Sequence, residues 1–207
     1  MSSSATMLLT LRAASLVLFA SVCAQAQSRT LALYAGPAPG LNTESALVMR
    51  AELQRLLVPA GLQVVWKDST GPRNGEDFAL VAVSTFEGSC SPAKPGQTGV
   101  AATLADTSMS NGRVLPFFRV DCTRLIQVLG RSINSRVLGR ALARVIAHEL
   151  YHIVARTADH QDSGVAKAVF SAQDLTDIRF EFDSASISRM QLSPLAGFSD
   201  ISAITER

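Results

Sequence analysis

The sequence predicts an α+β domain, with a twisted mixed sheet of about five strands, one long helix and a short C-terminal helical part. Short apolar segments separated by Gly- and Pro-containing turns predict the strands. A proline-free stretch with helical spacing, Ser135 to about Arg156, predicts the long helix. The length of 207 residues, 47% of them hydrophobic, is enough for one core of ordinary size. We therefore expect residues 27–207 to form a single domain, with a loosely held tail after about residue 193.

The first 26 residues have the pattern of an export signal. Arg12 precedes an apolar run over residues 13–24, and Ala24-Gln25-Ala26 follows as a cleavage pattern. The run is well short of the ~20 residues that span a bilayer. We expect a signal peptide over residues 1–26 and a mature protein in the periplasm or outside the cell, without a stable membrane anchor. The alternative is a buried N-terminal helix.

The strand patterns follow one another along the mature chain. They cover Arg29–Tyr34, Leu62–Trp66, Phe78–Ser84, Gly99–Ala105 and Val114–Val120. Ser110-Asn111-Gly112 is typical of a hairpin turn between the last two strands. Pro116 cannot donate a ladder hydrogen bond, so it places the last strand at a sheet edge or at a bulge.

Capping residues mark the shorter helices. Asn42 begins a helix that runs to about Val58, and Asp121 begins another that runs toward Gly130. Ser171 and Asp174 form a capping box for a C-terminal helix. Its expected buried face consists of Leu175, Ile178 and Phe182.

Removal of the signal leaves two cysteines, Cys90 and Cys122. An even number of cysteines in an exported protein predicts one disulfide. Two free, buried thiols are the alternative.

The charge pattern argues against nucleic-acid binding. The net charge is only +2, and no block of Lys and Arg stands out. Arg136, Arg140 and Arg144 recur every four residues on the long helix. They predict a solvated face, or a surface that favours acidic partners.

The chemistry is concentrated in His148-Glu149-Leu150-Tyr151-His152, an H-E-x-x-H sequence. On a helix, His148 and His152 lie one turn apart on the same face, so both imidazoles can bind one metal ion. They continue an apolar stripe toward the protein body, where buried polar groups need partners. Imidazoles near a carboxylate suit zinc best, and we expect one Zn²⁺. Packing or surface exposure is the expected role of Tyr151.

A catalytic zinc ion needs a third protein ligand. His160 is the expected one, and Asp159, Asp162 and Glu181 are the alternatives. In a continuous helix His160 would lie about 12 Å beyond His152. The helix must therefore end first, and Asp159 is expected to make the turn because it tolerates a left-handed conformation.

This segment resembles the active-site helix of zincin metallopeptidases, and His160 after a turn resembles the three-histidine metzincin arrangement. The predicted order of strands and helices is similar to the N-terminal half of that fold. His160 and Gly164 are also similar to a variant found in exported bacterial proteins. Ala155 replaces the glycine of the metzincin pattern, His160 comes two places later, and no Met-turn is evident. Met190 is expected to be an ordinary helix residue.

The resemblance implies an exported zinc-dependent peptide hydrolase of the endopeptidase type. Glu149 would act as general base toward a zinc-activated water, and the partner would be a peptide or protein substrate. The edge-strand candidate Val114–Val120 would pair with an extended peptide, as in zincins. The alternative is a zinc-binding domain that binds a partner without catalysis.

Overall fold

A computed structural model describes residues 29–71, 78–91, 103–130 and 133–194. The predicted α+β class is confirmed, because a five-stranded mixed sheet packs against helices. The strands are β1 (Arg29–Ala35), β2 (Leu62–Asp68), β3 (Leu80–Glu87), β4 (Ala105–Ser110) and β5 (Arg113–Asp121). The helices are α1 (Thr43–Leu57), α2 (Cys122–Leu129), α3 (Ser135–Ala155), α4 (Ala172–Thr176) and α5 (Ser184–Leu192). The expected signal peptide and the tail after residue 194 lie outside the described residues.

The strand order is β2-β1-β3-β5-β4, so β4 and not β5 lies at the sheet edge beside the long helix. Strand β1 is parallel to β2 and β3, β3 is parallel to β5, and β4 is antiparallel to β5. The prediction of an edge strand over Val114–Val120 is therefore wrong. The bulge alternative for Pro116 is confirmed. Pairing with β3 begins at Phe117, and the β4–β5 register shifts between Thr107 and Met109.

The first hairpin strand also differs from the prediction. It begins at Ala105 and runs into the Asn111-Gly112 turn, whereas the prediction placed it over Gly99–Ala105, of which residues 99–102 lie outside the described residues. Its segment Ala105–Ser110 is mostly polar and exposed, because only one of its sides and one of its faces are covered. Such an edge strand carries no apolar alternation by which a sequence pattern could find it.

Helices α1 and α3 pack against the same face of the sheet and against each other. A glycine permits their close approach: a Cβ atom on Gly139 would lie 2.5 Å from the Ser45 carbonyl oxygen. The Ser45 hydroxyl in turn donates to the Ser135 carbonyl at 3.0 Å. The predicted Asn42 cap is confirmed by a 2.8 Å hydrogen bond from the Ser45 N–H.

Arg144 is fully buried, which corrects the prediction of a solvated arginine face. Its guanidinium lies 3.1 Å from the Glu52 carboxylate on α1 and donates to the carbonyls of Asp174 and Asp177. Arg136, by contrast, is exposed and pairs with Glu44. Because α3 is packed on several sides, arginines at a four-residue spacing can be exposed at one end of the helix and buried further along. The spacing alone therefore does not show that a side chain is exposed to solvent.

The C-terminal helix is shorter than expected. The Ser171–Asp174 capping box is confirmed, but α4 ends at Thr176 and Ile178 is 71% exposed. The Asp174 and Asp177 carbonyls bind Arg144, and the chain at Asp177 turns to an extended conformation. Glu181 therefore lies on no helix. A separate helix, α5, carries the fully buried Met190.

The predicted disulfide joins Cys90 and Cys122, whose Cα atoms lie 4.9 Å apart. It connects the segment after β3 to the first residue of α2, and both cysteines are fully buried. Within the described ranges, no helix is long and apolar enough to cross a membrane.

The disulfide is expected to contribute about 3–4 kcal/mol to the free energy of unfolding, because it closes a loop with a sequence separation of 32 residues. Urea unfolding of the oxidised protein and of the Cys90→Ala/Cys122→Ala variant measures this difference. Neither cysteine should react with a thiol reagent in the denatured protein before reduction. Two reactive thiols per unreduced chain would contradict the assignment.

Removal of the Glu52 carboxylate is expected to cost about 3–5 kcal/mol at pH 7, because it leaves Arg144 buried without its counter-charge. Burial raises the pKa of Glu52, but hydrogen bonds and charge from Arg55 and Arg144 outweigh it, and the net pKa is lowered. This contribution is present above the unfolded-state pKa of about 4.3 and is lost as the pH falls through the folded-state value. Urea unfolding of Glu52→Gln should show a gap from the wild type that is full at pH 7 and narrows below about pH 4. Glu44→Gln, which changes an exposed pair, is the control and should differ by less than about 1 kcal/mol.

Candidate metal centre

Helix α3 carries the three central side chains of the site into the protein interior. The Asn134 side chain caps its first turn by accepting the Val137 N–H at 2.9 Å. All residues from Ala141 to Val154 are buried, because the helix lies between the sheet, α1 and the C-terminal segments. His148 and His152 are therefore only 8% and 7% exposed.

Two backbone carbonyls orient the imidazoles. The Nδ1 atom of His148 lies 2.8 Å from the Val165 carbonyl oxygen, and that of His152 lies 2.8 Å from the Thr157 carbonyl oxygen. Because a carbonyl only accepts, each Nδ1 carries the hydrogen and each Nε2 is left with a lone pair. This is the arrangement in which histidines bind metals, with the outer N–H held by a backbone oxygen.

The two lone pairs point at a common position. The Nε2 atoms of His148 and His152 lie 3.1 Å apart. Two nitrogens bound at ~2.0–2.1 Å to one tetrahedral ion would lie about 3.3 Å apart, so a single ion fits between them. Burial lowers the pKa of His148 to about 4 and also lowers that of His152, even though each carbonyl contact acts in the opposite direction. Both rings are therefore neutral at pH 7, as ligation requires.

The chain leaves α3 at Arg156, not at the expected Asp159. Arg156 adopts a left-handed conformation with φ +52°, and its N–H bonds to the His152 carbonyl. The turn must come directly after the last helical residue, because the Thr157 carbonyl has to reach His152. Asp159 instead accepts from the Thr157 hydroxyl at 3.0 Å.

His160 joins the other two histidines. One ligand atom from each of His148, His152 and His160 lies within 4.8 Å of the others, and the three could hold a metal ion. The His160 ring centroid is 5.2 Å from that of His148 and 4.9 Å from that of His152. His160 is exposed, so this third position faces solvent.

Among the described residues, the alternative ligands Asp159, Asp162 and Glu181 do not belong to this cluster. Glu181 pairs with Arg55 of α1. Asp159 lies 3.7 Å from Arg189 of α5.

Residues 157–167, which we call the ligand loop, are held by contacts that the sequence pattern did not indicate. Gln161 donates from its backbone to the Ala166 carbonyl and from its side chain to the Tyr151 hydroxyl, at 2.9 and 3.0 Å. Gly164 has φ +66°, and a Cβ atom there would lie 2.5 Å from the Glu181 carbonyl oxygen. Tyr151 is fully buried, which confirms its expected packing role. The glycine was the one visible sequence signal for this turn.

Glu149 lies on the side of α3 that faces the edge strand. It is 4% exposed, and the Thr107 hydroxyl of β4 donates to its Oε2 at 2.5 Å. Burial raises the pKa of Glu149 to about 7; the Thr107 hydrogen bond opposes this shift and the charge of Asp106 adds to it. Sequence reasoning missed Thr107, because its segment carried no strand pattern.

Two clefts meet at the histidines and the Glu149 carboxylate. One, of about 340 Å³, is lined by Leu104, Val145 and Phe170 together with His148, Glu149 and His160. The other, of about 190 Å³, is lined by Met109 and Val114 together with Glu149, His152 and His160. Strand β4 borders both clefts, so the site opens along the sheet edge.

The donor set fits a metal ion on three grounds: neutral imidazoles, convergent Nε2 atoms and backbone oxygens that hold the outer nitrogens. A carboxylate with a pKa near neutrality lies beside them, as an acid–base catalyst requires. Comparison of the sequence with models of known families and with curated proteins gives no match.

Substitution of any one of His148, His152 or His160 by alanine should remove a metal ligand. The metal content of the purified protein, about one ion per chain in the wild type, should fall in each variant because three-ligand sites weaken strongly when one donor is lost. Elemental analysis of the protein measures both content and metal identity. Asp162→Ala and Glu181→Ala are the matched controls and should keep the metal. Full metal content in His160→Ala together with a loss in either control would show that the third ligand is wrong.

Proposed function

We propose that this protein is an exported zinc-dependent peptide hydrolase in which Glu149 is the general base. The convergence of two buried, neutral imidazoles with His160, directly beside the Glu149 carboxylate, carries this proposal. Three histidines suit zinc better than the oxygen-preferring ions. With zinc bound, the site would lower the pKa of water toward ~7 and polarise a scissile carbonyl.

Glu149 is suited to proton transfer by its surroundings. A general base works best when its pKa lies near the operating pH, and burial raises that of Glu149 to about 7. The Thr107 hydroxyl holds one carboxylate oxygen, so the other is free to face the cleft. Glu149 would accept the proton of the attacking water and transfer it to the leaving amine.

The edge strand suggests how a peptide would bind. Strand β4 pairs with β5 on one side only, and its free edge runs past Glu149 and both clefts. An extended peptide could add to this edge through main-chain hydrogen bonds, with its side chains in the clefts. Pairing with a peptide, which was expected for Val114–Val120, is therefore proposed for Ala105–Ser110. The resemblance to zincins, in which an extended peptide pairs with an edge strand, supports this role.

Export is part of the proposal. The signal pattern over residues 1–26 and the Cys90–Cys122 disulfide both favour a periplasmic or extracellular location. The nearly balanced charge favours a peptide or protein partner over a nucleic acid.

A zinc-binding domain without catalysis is the second candidate. The hydrogen bond between Thr107 and the Glu149 carboxylate would also serve a purely structural site. After α3, moreover, the described chain contains only the short helices α4 and α5, which offer little surface for a specificity pocket. The carboxylate itself favours the enzyme, because structural zinc sites are closed by four ligands and need no base.

Glu149→Gln separates the two functions. It keeps the shape of the side chain and removes the base, so hydrolysis should fall by about 10²–10⁴-fold while the metal content stays near one per chain. Cleavage of unfolded protein and peptide substrates gives the rate, and elemental analysis gives the metal. Glu181→Gln, a change of an exposed glutamate outside the site, should leave both unchanged.

Unaltered hydrolysis in Glu149→Gln would contradict the role of the base. If no peptide bond is cleaved by the metal-loaded wild type, the non-catalytic zinc-binding domain replaces the enzyme. His148→Ala should lose metal and activity together, which distinguishes a metal-dependent hydrolase from a contaminant.

A further inference from the structure

A second cavity lies outside the carboxyl ends of the three parallel strands β1, β2 and β3. Its volume is about 330 Å³, and Gly36, Asp68 and Phe86 belong to its wall. It shares no lining residue with the two clefts at the histidines. The chain leaves β1 toward β2 on one side and leaves β3 toward the β4–β5 hairpin on the other. Ligands of open parallel sheets bind outside the carboxyl ends of the strands at such a reversal.

The cavity is lined largely by apolar side chains. Leu41, Met49 and Phe86 lie around Trp66, which is half-buried on β2. The volume falls at the lower end of the range of small-molecule sites. A flat apolar group of the size of a benzene ring fits these dimensions and this lining.

Two cationic side chains, Arg50 and Lys67, are at the wall, and Arg50 lies over Trp66. The Arg50 guanidinium carbon lies 5.2 Å from the Trp66 ring centroid. This distance is within the range of a cation–π contact, which holds the guanidinium at the aromatic face and leaves N–H groups for a carboxylate. None of the described residues forms an ion pair or a hydrogen bond with Arg50. Within the described part of the chain, its N–H donors therefore have no competing partner for a ligand.

Asp68 is the acidic residue on the same wall. Its Oδ1 accepts the N–H and the hydroxyl of Thr70 at 2.8 and 2.7 Å, and these hydrogen bonds lower its pKa. Asp68 therefore remains ionised, and its charge would limit the affinity for an anion. Lys67 also lines the cavity, but it has other partners, and its Nζ atom lies 5.3 Å from the Phe78 ring centroid.

We propose that this cavity binds a small aromatic carboxylate, with the ring against Trp66 and Phe86 and the carboxylate on Arg50. The site is separate from the histidine cluster and goes beyond the proposed hydrolase. Its ligand class follows from two properties of the wall, an aromatic surface and a guanidinium that lies over Trp66 without an ion-pair partner among the described residues.

Trp66 is the only tryptophan in the chain, so its fluorescence reports on this cavity alone. Phenylacetate is the probe, and it is titrated into the full-length wild type and into His148→Ala, in which a carboxylate cannot bind through a metal. A saturable change of the tryptophan signal with Kd on the order of 1 mM is expected in both, given the few atoms of the probe. Phenylacetamide, which has the same shape without the charge, should bind at least about tenfold more weakly.

Two substitutions test the charges. Arg50→Gln should weaken phenylacetate binding about tenfold or more, whereas Arg179→Gln, a change of an exposed arginine elsewhere, should not. Asp68→Asn should tighten it severalfold, because a like charge is removed. The proposal is overturned if phenylacetamide binds as well as phenylacetate, if Arg50→Gln binds like the wild type, or if the signal does not saturate. Tighter binding of phenethylamine than of phenylacetate would show a cation site instead.

Discussion

Four Arg, His and Glu side chains are buried on the single helix α3, and the rest of the structure depends on giving each of them a polar partner. Arg144, His148, Glu149 and His152 fall within nine positions of a helix that is covered on all sides. An unpaired polar group at such a position costs roughly 1–3 kcal/mol, and a buried charge costs more. Sheet, helix α1 and ligand loop each supply a partner. Thr107 of β4 binds Glu149, Glu52 of α1 binds Arg144, and two carbonyls of the loop bind the histidines.

The same requirement explains why the chain after α3 is ordered with so little regular structure. Between α3 and α5 it contains only the five-residue α4 and one 3-10 turn. Its carbonyls from Thr157, Val165 and Asp174 are instead bound by side chains of α3. Here the backbone oxygens of the segment are bound by α3 in addition to the burial of Leu175 and Phe182.

Periodic features could be predicted from the sequence, and features set by a distant partner could not. The α3 helix, the capping residues and the one-turn spacing of His148 and His152 are local, and all are confirmed. His160 was predicted as the third member of the site from its residue type, because it is the one histidine outside the H-E-x-x-H sequence. Arg144 was misassigned, since its spacing resembles a solvated row and its partner Glu52 is 92 residues away. The position of strand β4 was predicted several residues too early, because an edge strand beside a polar site has no apolar pattern.

The predictions of a longer C-terminal helix and of a turn at Asp159 were wrong for a related reason. Leu175, Ile178 and Phe182 have helical spacing, yet the carbonyls that a longer helix would need are used by Arg144. Asp159 has the better intrinsic tendency for a left-handed turn, yet the position of the turn is set by the reach from Thr157 to His152. Local propensity is worth a few tenths of a kcal/mol at such positions, which is less than one satisfied buried group.

The ligand loop combines two roles that are separate in many metal sites. It provides the third histidine, and through Val165 and Thr157 it also orients the first two. Any movement of the loop would therefore displace His160 and release the Nδ1 atoms of His148 and His152 at the same time. The hydroxyl of Tyr151, which is buried on α3, accepts a hydrogen bond from the Gln161 side chain of the loop. The same hydroxyl lies 3.4 Å from a guanidinium nitrogen of Arg189 on α5, so Tyr151 connects the loop to both helices. Any metal affinity of the three histidines would thus depend on the packing of the C-terminal part, and the H-E-x-x-H sequence alone would not form the cluster.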